Sequence, residues 1–325
     1  MFITRFPGRF LLLWLPVVGL TLPCQLTGQS ACVAQEKPAE SKPTAGKPST
    51  GKPADSDSSE KEPSGSKASE KKTAASVPYP LDAVVTADGA VVVVDRNLPG
   101  LWRWKADQLE VLVQGSKRFR QPLNASRCLA IDETGQIYVA CTSTREIYRL
   151  DAKNQPQPMT GGAIGLPMDI AFRADGSLMV ADLETHSLLR VSADGKKIQS
   201  VAKVNPRGVF VDHQDRVWVV SQDPKQLQIV ADDGKSTAVV DKPTFEFPHQ
   251  VVVNSRNEAF VSDSYKKAIW KVVEGSAPEV VVAGPPLDNP VGMALVNDEV
   301  VITDPRTRTI YRLQNGKCEP WFEIK

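Results

Sequence analysis

Histidine is scarce in this chain of 325 residues: there are 3, and none stands at the HxH or HxxxH spacing of a zinc site. No Gly-x-Ser-x-Gly motif, phosphate-binding loop or dinucleotide fingerprint occurs either. Aromatic residues make up 6% of the chain and the formal net charge is +1, so no basic, aromatic surface for nucleic acid is indicated. These absences argue against the common zinc-, nucleotide- and nucleic-acid-dependent functions.

Long hydrophobic runs are also missing. The apolar run over residues 10–22 is shorter than the roughly 20 residues of a membrane span. Arg5 and Arg9 precede it and Cys32-Val33-Ala34 follows it, which is typical of a signal peptide cleaved after Ala34. Residues 1–34 are therefore predicted to be a signal peptide, and the mature protein to be periplasmic or extracellular without a transmembrane span. An uncleaved membrane anchor and a lipid on Cys32 are the alternatives.

The next segment lacks the residues that build a core. Residues 36–76 contain no aromatic and no large aliphatic side chain, so they cannot bury enough apolar surface to offset the entropy of ordering. Lysine and glutamate nearly cancel there, which does not favour a polybasic tether. Residues 35–77 are predicted to be a disordered linker rich in lysine, proline and serine.

What the rest of the chain does contain is a repeat. Six copies follow one another at intervals of about forty residues, and the clearest are residues 166–203 and 247–284. Each has an anchor residue, a short apolar strand, a tight turn often made by Asp-Gly, a second apolar strand and two more strands. The anchors are Pro80, Ser126, Pro167, Pro206, Pro248 and Pro290. Residues 78–325 are predicted to form an all-β, six-bladed β-propeller of four-stranded antiparallel blades, without a helix longer than two turns.

The copies resemble the NHL-repeat family, whose repeat reads roughly Pro-x-Gly-apolar-Ala-Val-Asp and later Gly-x-apolar-Tyr-Val-Ala-Asp. The matching segments are residues 135–140 (GQIYVA), 205–212 (NPRGVFVD), 289–295 (NPVGMAL) and 309–313 (TIYRL). More distant relatives of this kind are the gluconolactonase and regucalcin-like enzymes, which place a metal-binding glutamate at the start of the first blade. Leu81 and Asp82 stand at that place here, so the resemblance does not carry that metal chemistry over.

One face of a propeller carries the loops that precede each first strand and those that join the second strand to the third. We call this face the mouth, and ligands usually bind there. An acid that ends the second strand recurs as Asp95, Asp182, Asp263 and Asp304, so it is predicted to accept hydrogen bonds from loop N–H groups. Metal binding or acid–base work at one of them is the alternative.

The residue two after the anchor varies between copies. Counting from the tight turns pairs Asp82 with Asp95 and Asp169 with Asp182 across their hairpins. Facing carboxylates repel, so one pKa should rise unless a cation lies between them. A divalent cation such as calcium is one hypothesis, which makes these four residues weak metal candidates; otherwise no cofactor is expected. In the alternative, the side chains diverge and cap loops.

Other polar residues of the mouth occur in single copies and are the ligand-binding candidates. Arg127, Arg207 and His249 come one residue after their anchors, where Leu81, Met168 and Val291 stand in the other copies. The predicted ligand-binding residues are Arg127, Asp169, His186, Arg207, His249 and Gln250. They would form a polar, partly cationic site that suits an anionic or sugar ligand; ordinary solvated loop residues are the alternative.

Two functions remain open. The first is an exported binding or scaffolding propeller with a protein, glycan or small-molecule ligand at the mouth, without catalysis or nucleic acid. The second is a hydrolase or lyase, lactonase-like and acting on an ester, lactone or glycan-derived substrate, with or without a divalent metal. The missing glutamate and the few histidines favour the first.

The cysteines give a geometric prediction. Counting from the turn Thr134-Gly135 pairs Cys128 with Cys141 at a position where Cα atoms lie about 4.5 Å apart. That separation permits a disulfide in an exported protein, so a Cys128–Cys141 bond is predicted. Two reduced, buried thiols are the alternative. Cys318 would be the odd thiol.

Overall fold

The structure is a computed structural model, and it describes residues 77–325. The predicted signal peptide and nearly all of the predicted linker lie outside the described residues. Within residues 77–325 there are 24 strands and no helix, arranged as six four-stranded antiparallel sheets around a common axis. The predicted six-bladed propeller is confirmed.

Each blade consists of four strands that follow one another in the chain. The first three blades are β1 Pro80–Val85, β2 Val91–Asp95, β3 Gly100–Lys105, β4 Gln108–Gln114; β5 Ser126–Ile131, β6 Ile137–Cys141, β7 Glu146–Leu150, β8 Pro156–Pro158; β9 Pro167–Phe172, β10 Leu178–Asp182, β11 Ser187–Val191, β12 Ile198–Lys203. The last three are β13 Pro206–Val211, β14 Val217–Ser221, β15 Leu227–Val230, β16 Ser236–Val240; β17 Pro248–Val253, β18 Glu258–Asp263, β19 Ala268–Val273, β20 Glu279–Ala283; β21 Gly292–Val296, β22 Glu299–Asp304, β23 Thr309–Gln314, β24 Lys317–Glu323.

The core lies between neighbouring blades. Second strands such as β2 and β10 are buried along their whole length, which explains their continuous apolar sequences. The tight turns before them place Gly89, Gly135 and Gly176 at positive φ, where glycine meets no steric penalty.

The ring closes through side chains. Every sheet is made of consecutive strands, so among the described residues no strand is shared between the first and last blades. Trp104 of the first blade stacks on Phe322 of the last at 4.5 Å and meets the edge of Trp321 at 5.0 Å. Ile324 is fully buried against the same cluster, which includes Ala83. Burial of aromatic surface therefore joins the two ends of the ring.

The hairpin register differs from the prediction. In the first five blades the first strand contains one extra residue just after the anchor, a β-bulge. Asp82 consequently pairs with Val94, and Asp169 pairs with Ala181. The predicted pairings of Asp82 with Asp95 and of Asp169 with Asp182 are wrong, because counting from the turn holds only up to the bulge.

The same bulge separates the two cysteines of the second blade. Cys128 pairs with Ala140, whereas Cys141 pairs with Ser126. Both thiols are free and buried, in core clusters on opposite sides of the blade. The predicted disulfide is therefore wrong, and the alternative of two buried thiols describes the structure. Cys318 is free as well.

No helix of residues 77–325 is long and apolar enough to cross a bilayer.

Candidate ligand-binding site

The recurring aspartates hold the loops of the mouth together. Asp95 accepts hydrogen bonds from Tyr79 N in the preceding loop and from Asn97 N and Leu98 N in the following loop, at 3.0, 2.7 and 3.0 Å. Trp102 Nε1 also donates to it at 3.0 Å. Asp182, Asp263 and Asp304 bind the two loops of their blades in the same way. The predicted structural role is confirmed, and these bonds occupy Asp95 and Asp182, two of the four weak metal candidates.

The residue after the anchor lies within the bulge of the first strand, at the mouth end of its blade. In the second, fourth and fifth blades this residue is Arg127, Arg207 and His249. Burial, together with the charges of Arg127 and Arg207, lowers the pKa of His249 to about 3. Burial and the charge of Arg127 lower the pKa of Arg207. The structure therefore brings these three predicted residues together as one group, the basic cluster.

Aromatic side chains form one wall of the basic cluster. Phe247 lies 5.0 Å from the His249 ring and 5.0 Å from the Arg207 guanidinium, both measured to its ring centroid. Tyr265 stacks on Phe247 at 4.8 Å and is 65% exposed. His249 Nε2 lies 3.0 Å from Ser264 Oγ. The wall offers a ligand an apolar face beside the cations.

Two nitrogens of the basic cluster are buried without a partner. Arg127 Nε and His249 Nδ1 have no hydrogen-bond partner within the described part of the chain. Arg207 donates to Gln222 Oε1 at 2.7 Å. No ion pair joins Arg127 or Arg207 to an acid of residues 77–325. Buried N–H groups are normally satisfied, so this cluster has unused capacity for an acceptor.

Beneath the basic cluster, three polar side chains from alternate blades converge on the axis of the ring. They are Asp82, Asp169 and Gln250, which we call the polar floor, and they line one end of a central cavity of about 330 Å³. The acceptor of each reaches a backbone N–H of the next blade: Asp82 Oδ2 binds Leu129 N at 3.0 Å, and Asp169 Oδ2 binds Val209 N at 2.9 Å. Gln250 Oε1 binds Met293 N in the same way.

Small residues occupy the equivalent positions of the other three blades: Cys128, Gly208 and Gly292. A Cβ on Gly292 would lie 2.5 Å from the Leu81 carbonyl oxygen, and a Cβ on Gly208 would lie 2.5 Å from that of His249. Large polar and small residues therefore alternate because the ring is too narrow at this level for six side chains.

The polar floor contains a carboxyl pair, Asp82 with Asp169, whereas the sequence predicted that each would face an aspartate of its own blade. Burial raises the pKa of Asp82 to about 7. Burial and the neighbouring Asp82 raise the pKa of Asp169 well above its usual value. The expected repulsion between carboxylates exists, but it acts between blades and not across a hairpin.

The remaining candidates lie elsewhere. His186 is exposed in its loop, and its Nδ1 lies 2.9 Å from Asn205 Oδ1. Gln250 and Asp169 belong to the polar floor. Sequence reasoning missed Phe247, Ser264 and Tyr265, although aromatic residues in single copies of the mouth loops could have been noticed.

The described residues contain few groupings of side chains that could bind a cation. Among residues 77–325 no three His, Cys, Asp or Glu side chains are grouped so as to hold a metal ion. Gln250 Nε2 donates to Asp169 Oδ1 at 3.0 Å, so a hydrogen-bond donor lies where a cation would need an acceptor.

Comparisons with known proteins identify the fold only. No family model matches the chain, and no curated protein matches it. Among solved structures, virginiamycin B lyase from Staphylococcus aureus has 15% identity and a TM-score of 0.56 over 76% of this chain and 85% of that one. A gluconolactonase from Xanthomonas campestris has 15% identity and a TM-score of 0.57 over 75% and 85%. A nidogen/laminin complex has 15% identity and a TM-score of 0.60 over 76% and 94%. These neighbours are six-bladed propellers, two of them enzymes and one part of a protein complex, and the likeness shows the propeller fold.

Proposed function

We propose that this propeller is an exported, NHL-type binding module that takes an anionic ligand at its mouth. The observation that carries the proposal is the basic cluster: Arg127 and Arg207 lack acidic partners within the described residues, and Arg127 Nε and His249 Nδ1 are buried and unpartnered. A carboxylate, sulfate or phosphate oxygen would supply the missing acceptor, since guanidinium groups bind such anions with charge-assisted hydrogen bonds.

The aromatic wall narrows the kind of ligand. Phe247 and Tyr265 present an apolar surface beside the cations, so we favour an anion that carries a ring or an apolar portion, such as an acidic sugar or the acidic side chain of a partner protein. The name of the nidogen/laminin neighbour makes a protein partner worth testing.

The test compares Arg127→Ala and Arg207→Ala with Arg96→Ala, whose side chain is exposed on the same face in another blade. Isothermal titration uses glucuronate, inorganic sulfate and a sulfated oligosaccharide as probes. We expect each cluster variant to weaken binding about tenfold or more, and Arg96→Ala to leave it unchanged. Equal affinity in all four proteins, or no binding of any probe, would contradict the proposal.

A hydrolase or lyase is the second candidate, because His249 Nε2 and Ser264 Oγ lie 3.0 Å apart beside two arginines. A nucleophile next to a base is the usual arrangement of acyl transfer. The pKa of about 3 makes His249 a weak base, however, and this favours binding over catalysis. Turnover of ester or lactone substrates that is lost in Ser264→Ala but kept in Ser262→Ala would favour the enzyme.

A further inference from the structure

We propose that Asp82 and Asp169 form a proton-binding site linked to the basic cluster, so that the mouth takes up its anion together with a proton. The proposal deepens the proposed function and rests on it.

The two carboxyls are isolated from solvent and from cationic side chains. Asp82 is 3% exposed and Asp169 is 5% exposed. Each accepts N–H bonds from its own strand and from the next blade, Asp82 from Ala83 N and Leu129 N at 2.9 and 3.0 Å. Neither is paired with a Lys or Arg nitrogen of the described residues. Two unneutralised carboxylates are costly to bury together, so a proton is the simplest neutralising partner.

Gln250 connects the carboxyls to the backbone of the sixth blade. Its Oε1 is held by Met293 N, which turns Nε2 towards the carboxyls and onto Asp169 Oδ1 at 3.0 Å. A donor in this place repels a cation. It also lowers the pKa of Asp169, but burial and the neighbouring Asp82 raise that pKa by more. The polar floor therefore suits a proton better than a metal ion.

Four other titratable groups adjoin the pair at the mouth: Arg127 and Cys128 from β5, Arg207 from β13 and His249 from β17. Burial, Asp169 and Asp82 raise the pKa of Cys128 well above its usual value, so it remains a thiol. His249 is neutral, and the arginines stay charged. Near neutral pH the carboxyl pair is therefore the group of this set that can gain or lose a proton.

Arg127 couples the carboxyl pair to the ligand. Arg127 is the cation that favours the ionised form of Asp82, although burial outweighs it. An anion bound to Arg127 neutralises that cation and adds its own negative charge nearby. Ionised Asp82 is then disfavoured further, so the bound state holds the proton more tightly than the free state.

The experiment titrates inorganic sulfate into the purified protein from about pH 6 to about pH 9, in pairs of buffers with different ionisation enthalpies. We expect the affinity to fall above about pH 7, by up to about tenfold per pH unit, with proton uptake approaching one per sulfate. Asp82→Asn should remove both effects, and Arg96→Ala should keep both. An affinity with the same pH profile in wild type and Asp82→Asn would overturn the linkage.

Because Asp82→Asn could disturb folding, Asp169→Asn is the matched control: it makes the same atom replacement in the polar floor but keeps Asp82 buried, so both effects should persist. Infrared spectra of the unliganded wild type test the proton site without a ligand: the carbonyl stretch of a protonated carboxyl should be present at about pH 6 and lose intensity as the pH rises and Asp82 ionises. Absence of this band at about pH 6 would overturn the proton site. Failure of sulfate to bind at any pH, with the band present, would instead contradict the proposed function and leave the proton site supported.

Discussion

The two faces of the propeller differ in whether their charged side chains are paired. On the face opposite the mouth, arginines of the turns bind acids of their own or neighbouring turns: Arg173 contacts Asp215 and Asp232, and Arg216 contacts Asp212 and Glu274. At the mouth, the rim has a few such pairs, including Arg145 with Glu184, but the basic cluster has none among the described residues. Charges of the opposite face therefore serve the scaffold, whereas those of the basic cluster are available to a ligand.

The largest effect is expected from the pH dependence of the polar floor. Asp82 has a pKa of about 7 in the folded protein and 3.8 as its unperturbed value. Between these values only the folded state holds the proton, so rising pH should lower the free energy of unfolding by about 1.4 kcal/mol per unit, or about 4 kcal/mol in all. The loss is complete above about pH 7.

Asp82→Asn should lack this pH-dependent contribution. Acids of the opposite face are present in both proteins, so their contributions cancel in the difference between the two unfolding free energies. Urea unfolding from about pH 4 to about pH 8 measures the difference. Parallel profiles for the two proteins would show that Asp82 ionises normally in the fold.

The next effect concerns the space at the polar floor. Gly292→Ala should lower the free energy of unfolding by about 3 kcal/mol or more, because the new Cβ would meet backbone atoms of Leu81 and Asp82 at 2.5 and 2.7 Å. Gly135→Ala is the matched control on the opposite face, where a Cβ would have no neighbour within 4 Å and only the positive φ costs stability, about 1–2 kcal/mol. If urea unfolding gave equal losses of unfolding free energy for the two variants, the ring would have to be wider at the polar floor than the structure shows.

A charge of the opposite face should matter for stability alone. Arg173→Ala should cost about 2 kcal/mol, because the mostly buried guanidinium bridges Asp215 and Asp232 of the next blade. Binding of sulfate at the mouth should be unchanged. A variant that loses sulfate affinity while keeping its melting temperature would break the division between the two faces.

The smallest effect on stability should come from the basic cluster itself. Arg127→Ala should change the free energy of unfolding by no more than about 0.5 kcal/mol, because Arg127 lacks an acidic partner among residues 77–325. The same variant should bind the probe anions more weakly. Thermal unfolding and titration of the same preparation test this. A large stability loss would assign Arg127 to the scaffold.

The sequence by itself determined the architecture. Six copies of one apolar pattern specify six sheets, because strands, tight turns and the loop-binding aspartates such as Asp95 and Asp182 depend on residues close together in the chain. The same local pattern put Arg127, Arg207 and His249 at one position of the repeat, and therefore on one face.

Only the tertiary structure decided which residues meet. The bulge after the anchor Ser126 is invisible to counting from the turn, so the predicted pairing of Cys128 with Cys141 failed. Asp82 meets Asp169 and Gln250 because closure of the ring brings alternate blades to one axis, and the width of that axis forces glycine at 208 and 292. Such contacts depend on the packing of distant strands, which no single repeat encodes.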